Sequence, residues 1–158
     1  MSKFPNGFDE IDRQLLNLLQ KNNRLSADVL AQEVATSRSS IQRRLQKIRA
    51  SGLIEAEIAV ISPNLIDQKI LAIVEVKLLN VRSDLLDDFR KLVNSHDDVQ
   101  QCYYINGDTD FFIIISANDL KSYEQFSRRI FADNPNVDRY ESSIVAGRYK
   151  VGLQVPIV

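Results

Sequence analysis

The sequence predicts an α+β protein, in which an N-terminal winged helix-turn-helix domain is joined to a C-terminal ferredoxin-like βαββαβ domain. Three observations support this prediction. Two helical patterns precede a strongly basic helix, a β-α-β-β-α-β order of apolar patterns runs from about Ile70 to Tyr149, and Pro63 separates the two parts. We therefore divide the chain into a first domain (1–60), a linker (61–68) and a second domain (69–158).

Composition is that of an ordinary soluble globular protein, with 44% hydrophobic and 26% charged residues among 158. The single cysteine, Cys102, cannot form an intramolecular disulfide, and one Cys with one His cannot build a structural zinc site. No window approaches the roughly 18 apolar residues of a membrane span. The sequence thus predicts a cytoplasmic protein with no cofactor, no metal and no membrane partner.

The first two helices are predicted from apolar spacing and from their N-caps. Asp9 is the expected N-cap of the first helix, and Ser26 is the expected N-cap of a short second helix, "ADVLAQEV". The apolar stripe of the first helix consists of Phe8, Ile11, Leu15, Leu18 and Leu19.

The third predicted helix, from Arg38 to about Ser51, concentrates positive charge in a chain of formal net charge -1. Ser37 can cap its start, and Gly52 stands where a left-handed C-cap is needed. The stretch "TSRSSIQRRLQKIRASG" contains no acid and five cations, which are Arg38, Arg43, Arg44, Lys47 and Arg49.

A turn of about 100° per residue separates this helix into two faces. Ile41, Leu45 and Ile48 group on the side that should be buried. The opposite face holds Ser39, Arg43, Gln46 and Lys47, with Ser40 and Gln42 at its edges; the residues that border the buried stripe are Arg38, Arg44 and Arg49.

This layout suits double-stranded DNA. An arginine can bind guanine bidentately, an amide can bind adenine, and bordering cations can meet phosphates. We expect Gln42, Arg43 and Gln46 to contact bases, and small Ser39 and Ser40 to permit close approach; the expected phosphate contacts are Arg38, Arg44, Lys47 and Arg49. A solvated basic face is the alternative, but the missing acids, the short preceding helix and the three-residue joint favour DNA.

Strand patterns fill much of the remaining chain. "LIEAEIAVIS" alternates and predicts a strand or a two-stranded wing. In the second domain, strands "ILAIVEVKLL", "VQQCYYI" and "FFIIISA" are interleaved with two helical patterns, and a last strand begins near Val137. The Asn-Gly pair of "NGDTD" favours a tight hairpin turn.

The strand from Phe111 to Ile115 is apolar at every position, so both of its faces should be covered. The two helices of a ferredoxin-like fold occupy only one face of the sheet. A partner subunit or, as the alternative, an edge of the N-terminal domain is expected to cover the other.

The opening helix "DEIDRQLLNLLQKNNR", the spacing through the basic helix to "GLI" and the "NGDTDFFI" segment resemble the Lrp/AsnC (leucine-responsive/asparagine-responsive, feast/famine) transcriptional regulators. The resemblance covers nearly the whole chain. It implies a DNA-binding regulator whose ferredoxin-like domain forms a homodimer, often assembles further to an octamer, and binds an amino acid or a similar small effector.

The resemblance also places the effector beside the loop Asn106, Gly107, Asp108, Thr109 and Asp110. A glycine turn exposes backbone N–H groups to a carboxylate, and an acid can meet an ammonium group; the alternative is that Gly107 only makes the hairpin. Two residues depart from the family pattern. Ala35 stands where the family commonly has Gly, and Thr109 stands where it usually has an aromatic residue.

Two other functions compete with this interpretation. A siroheme-decarboxylase group resembles the same architecture, but His96 is the only imidazole, and Arg128 and Arg129 are expected on a solvent face. An RNA-binding sheet would need exposed aromatics, and adjacent Tyr103 and Tyr104 point to opposite faces. We expect no enzyme activity and no catalytic residues.

Overall fold

The computed structural model describes residues 5–66 and 70–157. The chain divides into two compact units, one that runs to Val60 and includes the segment from Lys150 onward, and one from Ile61 to Tyr149. We call them the N-terminal unit and the C-terminal unit. The predicted second domain kept the segment from Lys150 with the sheet, whereas in the structure this segment packs with the helices of the N-terminal unit.

Three helices form the N-terminal unit: α1 (Glu10–Leu19), α2 (Ala27–Glu33) and α3 (Arg38–Ala50). Each begins at the N-cap that the sequence predicts. Asp9 and Asp12 form a reciprocal capping box, in which each carboxylate accepts from the other residue's N–H at 3.1 and 3.0 Å. Ser26 and Ser37 accept the N–H groups of the third residues of α2 and α3.

The two turns that end α2 and α3 use left-handed backbone. Gly52 has a φ of +76°, as its predicted role requires. Ala35 has a φ of +50° and follows α2 in a Schellman motif, with Thr36 N–H on the Ala31 carbonyl and Ala35 N–H on the Gln32 carbonyl. An L-residue adopts this conformation at an energetic cost, which the two hydrogen bonds help to offset.

One apolar core holds the three helices together. Ile41, Leu45 and Ile48 of α3 are buried, which confirms the stripe predicted from the helical period. They pack against the buried residues of α1 and α2, namely Leu15, Leu16, Leu19, Leu30, Ala31 and Val34.

The predicted wing is wrong. Residues 53–62 form no strand, and Ile58 and Val60 are 67% and 84% exposed. Alternation of apolar residues predicts which side chains share a face, but a strand also needs a neighbour to accept its backbone hydrogen bonds. No other strand lies among the described residues of the N-terminal unit.

The C-terminal segment lies on α1. The side-chain amide of Gln20 donates to the Val155 carbonyl at 2.9 Å and accepts the Val155 N–H at 3.1 Å. Asn17 donates to the Ile157 carbonyl at 3.2 Å, and Gln154 donates to the Gln20 carbonyl at 3.0 Å. The Ile157 side chain packs against the helical core. These contacts explain why the segment belongs to the N-terminal unit.

The C-terminal unit has the predicted βαββαβ order. Its elements are β1 (Ile70–Leu78), α4 (Ser83–Asn94), β2 (Val99–Tyr104), β3 (Phe111–Ala117), α5 (Leu120–Ser127) and β4 (Val137–Ile144), with a π-helical turn (Arg128–Ala132) after α5 and a 3₁₀ turn (Pro63–Leu65) before β1. The strands form one antiparallel sheet in the order β2-β3-β1-β4. This arrangement confirms the ferredoxin-like prediction.

Both helices pack on one face of this sheet. Val74, Val76, Ile113 and Ile115 point toward the helices and are fully buried. The buried helical residues that meet them are Phe89, Val93, Tyr123, Phe126, Ile130 and Phe131. We call the opposite side of the sheet the second face; its residues alternate with the core residues along β1 and β3.

The connection between β2 and β3 is longer than the tight turn that the Asn-Gly pair predicts. Ile105 donates its N–H to the Asp110 carbonyl at 2.9 Å, so the residues between these two form the connection. Gly107 is not in the left-handed region that a two-residue Asn-Gly turn requires. Asp110 also donates its own N–H to the Val76 carbonyl of β1 at 2.9 Å.

We predict that Ala35→Gly raises the free energy of unfolding of the N-terminal unit by up to about 1 kcal/mol. The left-handed conformation costs an L-residue about 1–2 kcal/mol, and glycine removes this cost. Glycine also gives the unfolded chain more conformational entropy, which lowers stability by about 0.5–1 kcal/mol and cancels part of the gain. Urea unfolding followed by circular dichroism measures the change. The control, Ala50→Gly at the end of α3, should instead lower stability, by at most the roughly 0.5–1 kcal/mol that glycine costs in the middle of a helix. Shifts of the same sign in both variants would contradict the argument.

Candidate nucleic-acid interface and ligand loop

The outward face of α3 is open to solvent. Ser39, Gln42, Arg43, Gln46 and Lys47 are exposed, while Ser40 is half-buried. The cap at Ser37 and the apolar stripe together fix which side of the helix faces outward. The structure therefore brings the residues expected to contact bases onto one polar surface.

Arg43 differs from the other three arginines of α3, Arg38, Arg44 and Arg49, each of which pairs with a carboxylate. It forms no ion pair with any residue in the described part of the chain, and its side chain is exposed. Arg38 lies 3.3 Å from Asp28, and Arg49 lies 2.9 Å from Glu57, both as exposed pairs. Exposed pairs of this kind contribute little to stability and can open at small cost.

Lys47 is positioned by the segment that precedes α1. Its ammonium donates to the Gly7 carbonyl and lies 4.3 Å from the centre of the Phe8 ring. A cation over an aromatic face is attracted by the ring quadrupole. These contacts hold Lys47 on the exposed side of α3 without neutralising its charge.

Arg44 has a role that the sequence analysis missed. Its guanidinium donates to both oxygens of Asp9 at 2.8 Å and to Asp12 at 2.7 Å. The Arg44 side chain is 18% exposed and that of Asp12 is 1% exposed. Arg44 was expected to contact phosphate, but two carboxylates already bind both of its terminal nitrogens, so we reassign it to a structural role that ties α3 to α1.

The Arg44 guanidinium lowers the pKa of Asp9 below its ordinary value, and the hydrogen bond from the Asp12 N–H acts in the same direction. The hydrogen bonds that Arg44 donates to the Asp9 and Asp12 carboxylates raise the pKa of Arg44. Both shifts favour the charged forms. The contact therefore persists across neutral pH.

The loop between β2 and β3 contains two acids in opposite environments. Asp110 is buried, and its carboxylate accepts the Leu78 N–H at 2.8 Å and lies 3.3 Å from the Lys77 ammonium. This carboxylate fastens the loop to β1 and is not free for a ligand's ammonium. Asn106, Gly107 and Asp108 are exposed and Thr109 is half-buried, so Asp108 is the acid that a ligand can reach.

No group of three or more potential metal ligands occurs among residues 5–66 and 70–157. His96 packs edge-on against Phe126, with ring centres 5.4 Å apart. Burial raises the pKa of Cys102, which keeps its thiol protonated. Separately, none of the described helices has the length and apolar character that a membrane crossing requires.

Models of two known domains match the chain. The model of the AsnC-type helix-turn-helix domain matches residues 8–49, and that of the Lrp/AsnC ligand binding domain matches residues 71–155. The chain is 38% identical over 149 residues to an uncharacterized HTH-type transcriptional regulator of Sinorhizobium fredii, covering 94% of this chain and 88% of that protein. It is 27% identical over 142 residues to the leucine-responsive regulatory protein of Escherichia coli K12, covering 90% and 87%.

Solved structures agree over almost the full length. A transcriptional regulator of Neisseria meningitidis in complex with L-Met superimposes with a TM-score of 0.87 at 26% identity, covering 94% of this chain and 96% of that one. An AsnC family transcriptional regulator of Agrobacterium tumefaciens gives a TM-score of 0.87 at 25% identity, covering 94% and 97%.

A helix-turn-helix domain followed by a ligand-binding domain defines a DNA-binding transcriptional regulator. The matches to both domains and to full-length relatives place this chain within one such group. The chain belongs to the Lrp/AsnC family, which confirms the resemblance found in its sequence.

We predict that Arg44→Met lowers the free energy of unfolding of the N-terminal unit by about 2–4 kcal/mol. The change leaves the buried Asp12 carboxylate without its cation, and breaking a buried pair costs about 3–5 kcal/mol before allowance for partial exposure. Arg43→Met, one residue away but exposed and unpaired, is the matched control and should stay within about 0.5 kcal/mol of wild type. Urea unfolding at neutral pH distinguishes them, and equal midpoints would refute the structural role.

The pH dependence provides a second readout of the same contact. Because the folded pKa of Asp9 is lowered, its contribution to stability is present above the ordinary aspartate pKa of about 3.9 and is lost as the pH falls through the lowered value. Below pH about 4, wild-type stability should therefore fall more steeply than that of Asp9→Asn. Parallel curves would show that the Asp9 carboxylate is not stabilised by Arg44.

Proposed function

We propose that α3 enters the major groove of double-stranded DNA and that Gln42, Arg43 and Gln46 contact base edges. The observation that carries this proposal is the exposed, unpaired Arg43 between two amides on the outward face of the helix. A free guanidinium can bind guanine bidentately, and side-chain amides can bind adenine. Ser39 and Ser40 leave room for the DNA backbone near the start of the helix.

Arg38, Lys47 and Arg49 are the proposed phosphate ligands. Arg38 and Arg49 each exchange one exposed carboxylate for a phosphate, an exchange that releases counterions from the DNA. We leave Arg44 out of this set because its guanidinium is bonded to the Asp9 and Asp12 carboxylates at the start of α1. Because a regulator of transcription acts where the chromosomal DNA lies, we propose a cytoplasmic location.

The proposed active form is a homodimer. Helix-turn-helix proteins commonly bind two half-sites about one helical turn apart, and a two-fold dimer presents two recognition helices to such a site. The second face of the sheet carries exposed or half-buried apolar residues that do not join the core, including Ile73, Phe112 and Ile114. Assembly of dimers to an octamer follows the family resemblance.

We also propose that the loop from Asn106 to Thr109 binds a small effector, most simply an amino acid. The Neisseria relative is a complex with L-Met, and the family model that covers this unit is a ligand-binding domain. In the present chain, exposed Asp108 is suited to an ammonium group, and the backbone near Gly107 is suited to a carboxylate. Asp110 supports the loop through β1. No observation favours the decarboxylase alternative.

DNA binding is tested with fragments enriched from the source genome by the purified protein. Arg43→Ala should weaken binding to an enriched site by about 1–3 kcal/mol and relax base preference, with little change on random DNA. Arg49→Ala should weaken both DNAs alike and reduce the salt slope by about 1. Fluorescence anisotropy over a range of salt concentrations measures both, and equal losses on specific and random DNA for Arg43→Ala would contradict its assignment to base contacts.

Effector binding is tested by thermal unfolding of the wild type with each of the amino acids in turn. A ligand at 100 times its Kd should stabilise the protein by about 2.7 kcal/mol, and Asp108→Asn should remove most of this gain. Asp138→Asn, an exposed acid on β4, is the matched control and should keep it. Stabilisation that survives Asp108→Asn would exclude the proposed ammonium contact.

A further inference from the structure

Four charged residues on the second face form two like-charged pairs that lie side by side within one chain. In the antiparallel pairing of β1 with β4, Glu75 lies directly opposite Glu141, and Lys77 lies directly opposite Arg139. Directly opposed residues on neighbouring strands are about 4.5–5.5 Å apart at Cβ, and like charges at that distance destabilise a sheet. We call these four residues the charge quartet.

The C-terminal unit compensates the quartet only in part. Lys77 lies 3.3 Å from buried Asp110, which offsets its charge. Glu75, Arg139 and Glu141 form no ion pair with any residue that the structure describes, and Arg139 and Glu141 are exposed. An acidic pair and a basic pair thus stand side by side, and of the four residues only Lys77 forms an ion pair with a residue that the structure describes.

Apolar residues adjoin the quartet on the same face. The register places Glu75 opposite Phe112 and Ile73 opposite Ile114 on β3. Ile73 and Tyr103 are 36% and 49% exposed, and neither joins the core. An apolar centre with charged residues at its edge is the usual composition of a protein interface.

We propose that the charge quartet selects a second copy of this chain as the partner of the second face, with Glu75 and Glu141 of one copy against Lys77 and Arg139 of the other. This inference rests on the homodimer proposed above and adds the residues that determine which chains pair. The isologous contact gives each like-charged pair two further opposite charges, which come from the other copy.

A second copy fits this face better than an unrelated protein does. In a two-fold interface the same patch serves both subunits, so it must be complementary to itself. A patch with two acids and two bases in adjacent rows meets this condition, whereas a patch of one sign would repel its copy. Related regulators with other charges at these four positions would pair poorly with this chain.

The test uses full-length variants with reversed charges. Glu75→Lys with Glu141→Lys makes the quartet wholly positive, and Lys77→Glu with Arg139→Glu makes it wholly negative. Each variant alone should dissociate at least tenfold more readily than wild type in sedimentation equilibrium at low salt. Mixing the two should restore dimers, which native mass spectrometry should show to be almost entirely mixed.

A matched control separates the quartet from net charge. Asp97→Lys with Asp133→Lys changes the formal charge by the same amount at two exposed acids outside the sheet, and it should leave dimerisation unchanged. Arg139→Glu alone provides a negative variant that keeps the Lys77 to Asp110 contact, if the double variant fails to fold. Circular dichroism confirms folding in each case.

The possible outcomes distinguish a failure of the charge quartet from a failure of the homodimer on which it rests. A wild-type chain that stays monomeric at micromolar concentration would overturn both the homodimer and the quartet. A wild-type dimer with reversed-charge variants that dimerise equally well, or that fail to pair with each other, would overturn the quartet alone and leave the dimer to other residues.

Discussion

The contact of Arg44 with Asp9 and Asp12 is the interaction on which the DNA-binding surface depends. It joins the first turn of α1 to the middle of α3, and the buried Asp12 carboxylate accepts hydrogen bonds from both this cation and the Asp9 N–H. Hydrophobic packing brings the helices together, but apolar contacts are not directional. Three charge-assisted hydrogen bonds specify the orientation of one helix against the other.

This constraint gives neighbouring arginines different tasks. Arg43 and Arg44 differ by about 100° around the helix axis, and that rotation separates a guanidinium in solvent from one bonded to exposed Asp9 and buried Asp12. The C-terminal unit uses the same device at Asp110, where a buried carboxylate fastens a loop and leaves its neighbour Asp108 exposed. In both units a structural charge lies beside a charge that is available to a ligand.

Local chemistry was sufficient to predict much of this fold. The three N-caps, the left-handed Gly52 and the buried stripe of α3 each depend on residues within a few positions, and each is confirmed. The βαββαβ order followed from the alternation of strand and helix patterns. The exposed face of α3 followed from its helical period.

Contacts between distant residues were not predictable in this way. Asp9 and Arg44 are separated by 35 positions, and nothing in either local pattern indicates that they meet. The wing failed because alternation cannot reveal whether a neighbouring strand exists. Asp110 was expected to face a ligand. The pairing of β3 with β1, which the sequence does not reveal, brings its carboxylate to the Leu78 N–H instead.

The attachment of the C-terminal segment to α1 also affects how the protein is made. A ribosome synthesises the three helices first, then the whole C-terminal unit, and only afterwards Val155 and Ile157, which Gln20 and Asn17 bind. The helical unit is therefore discontinuous in the chain. Its last contacts form after the sheet has emerged, so a nascent chain completes the helical unit only after the C-terminal unit.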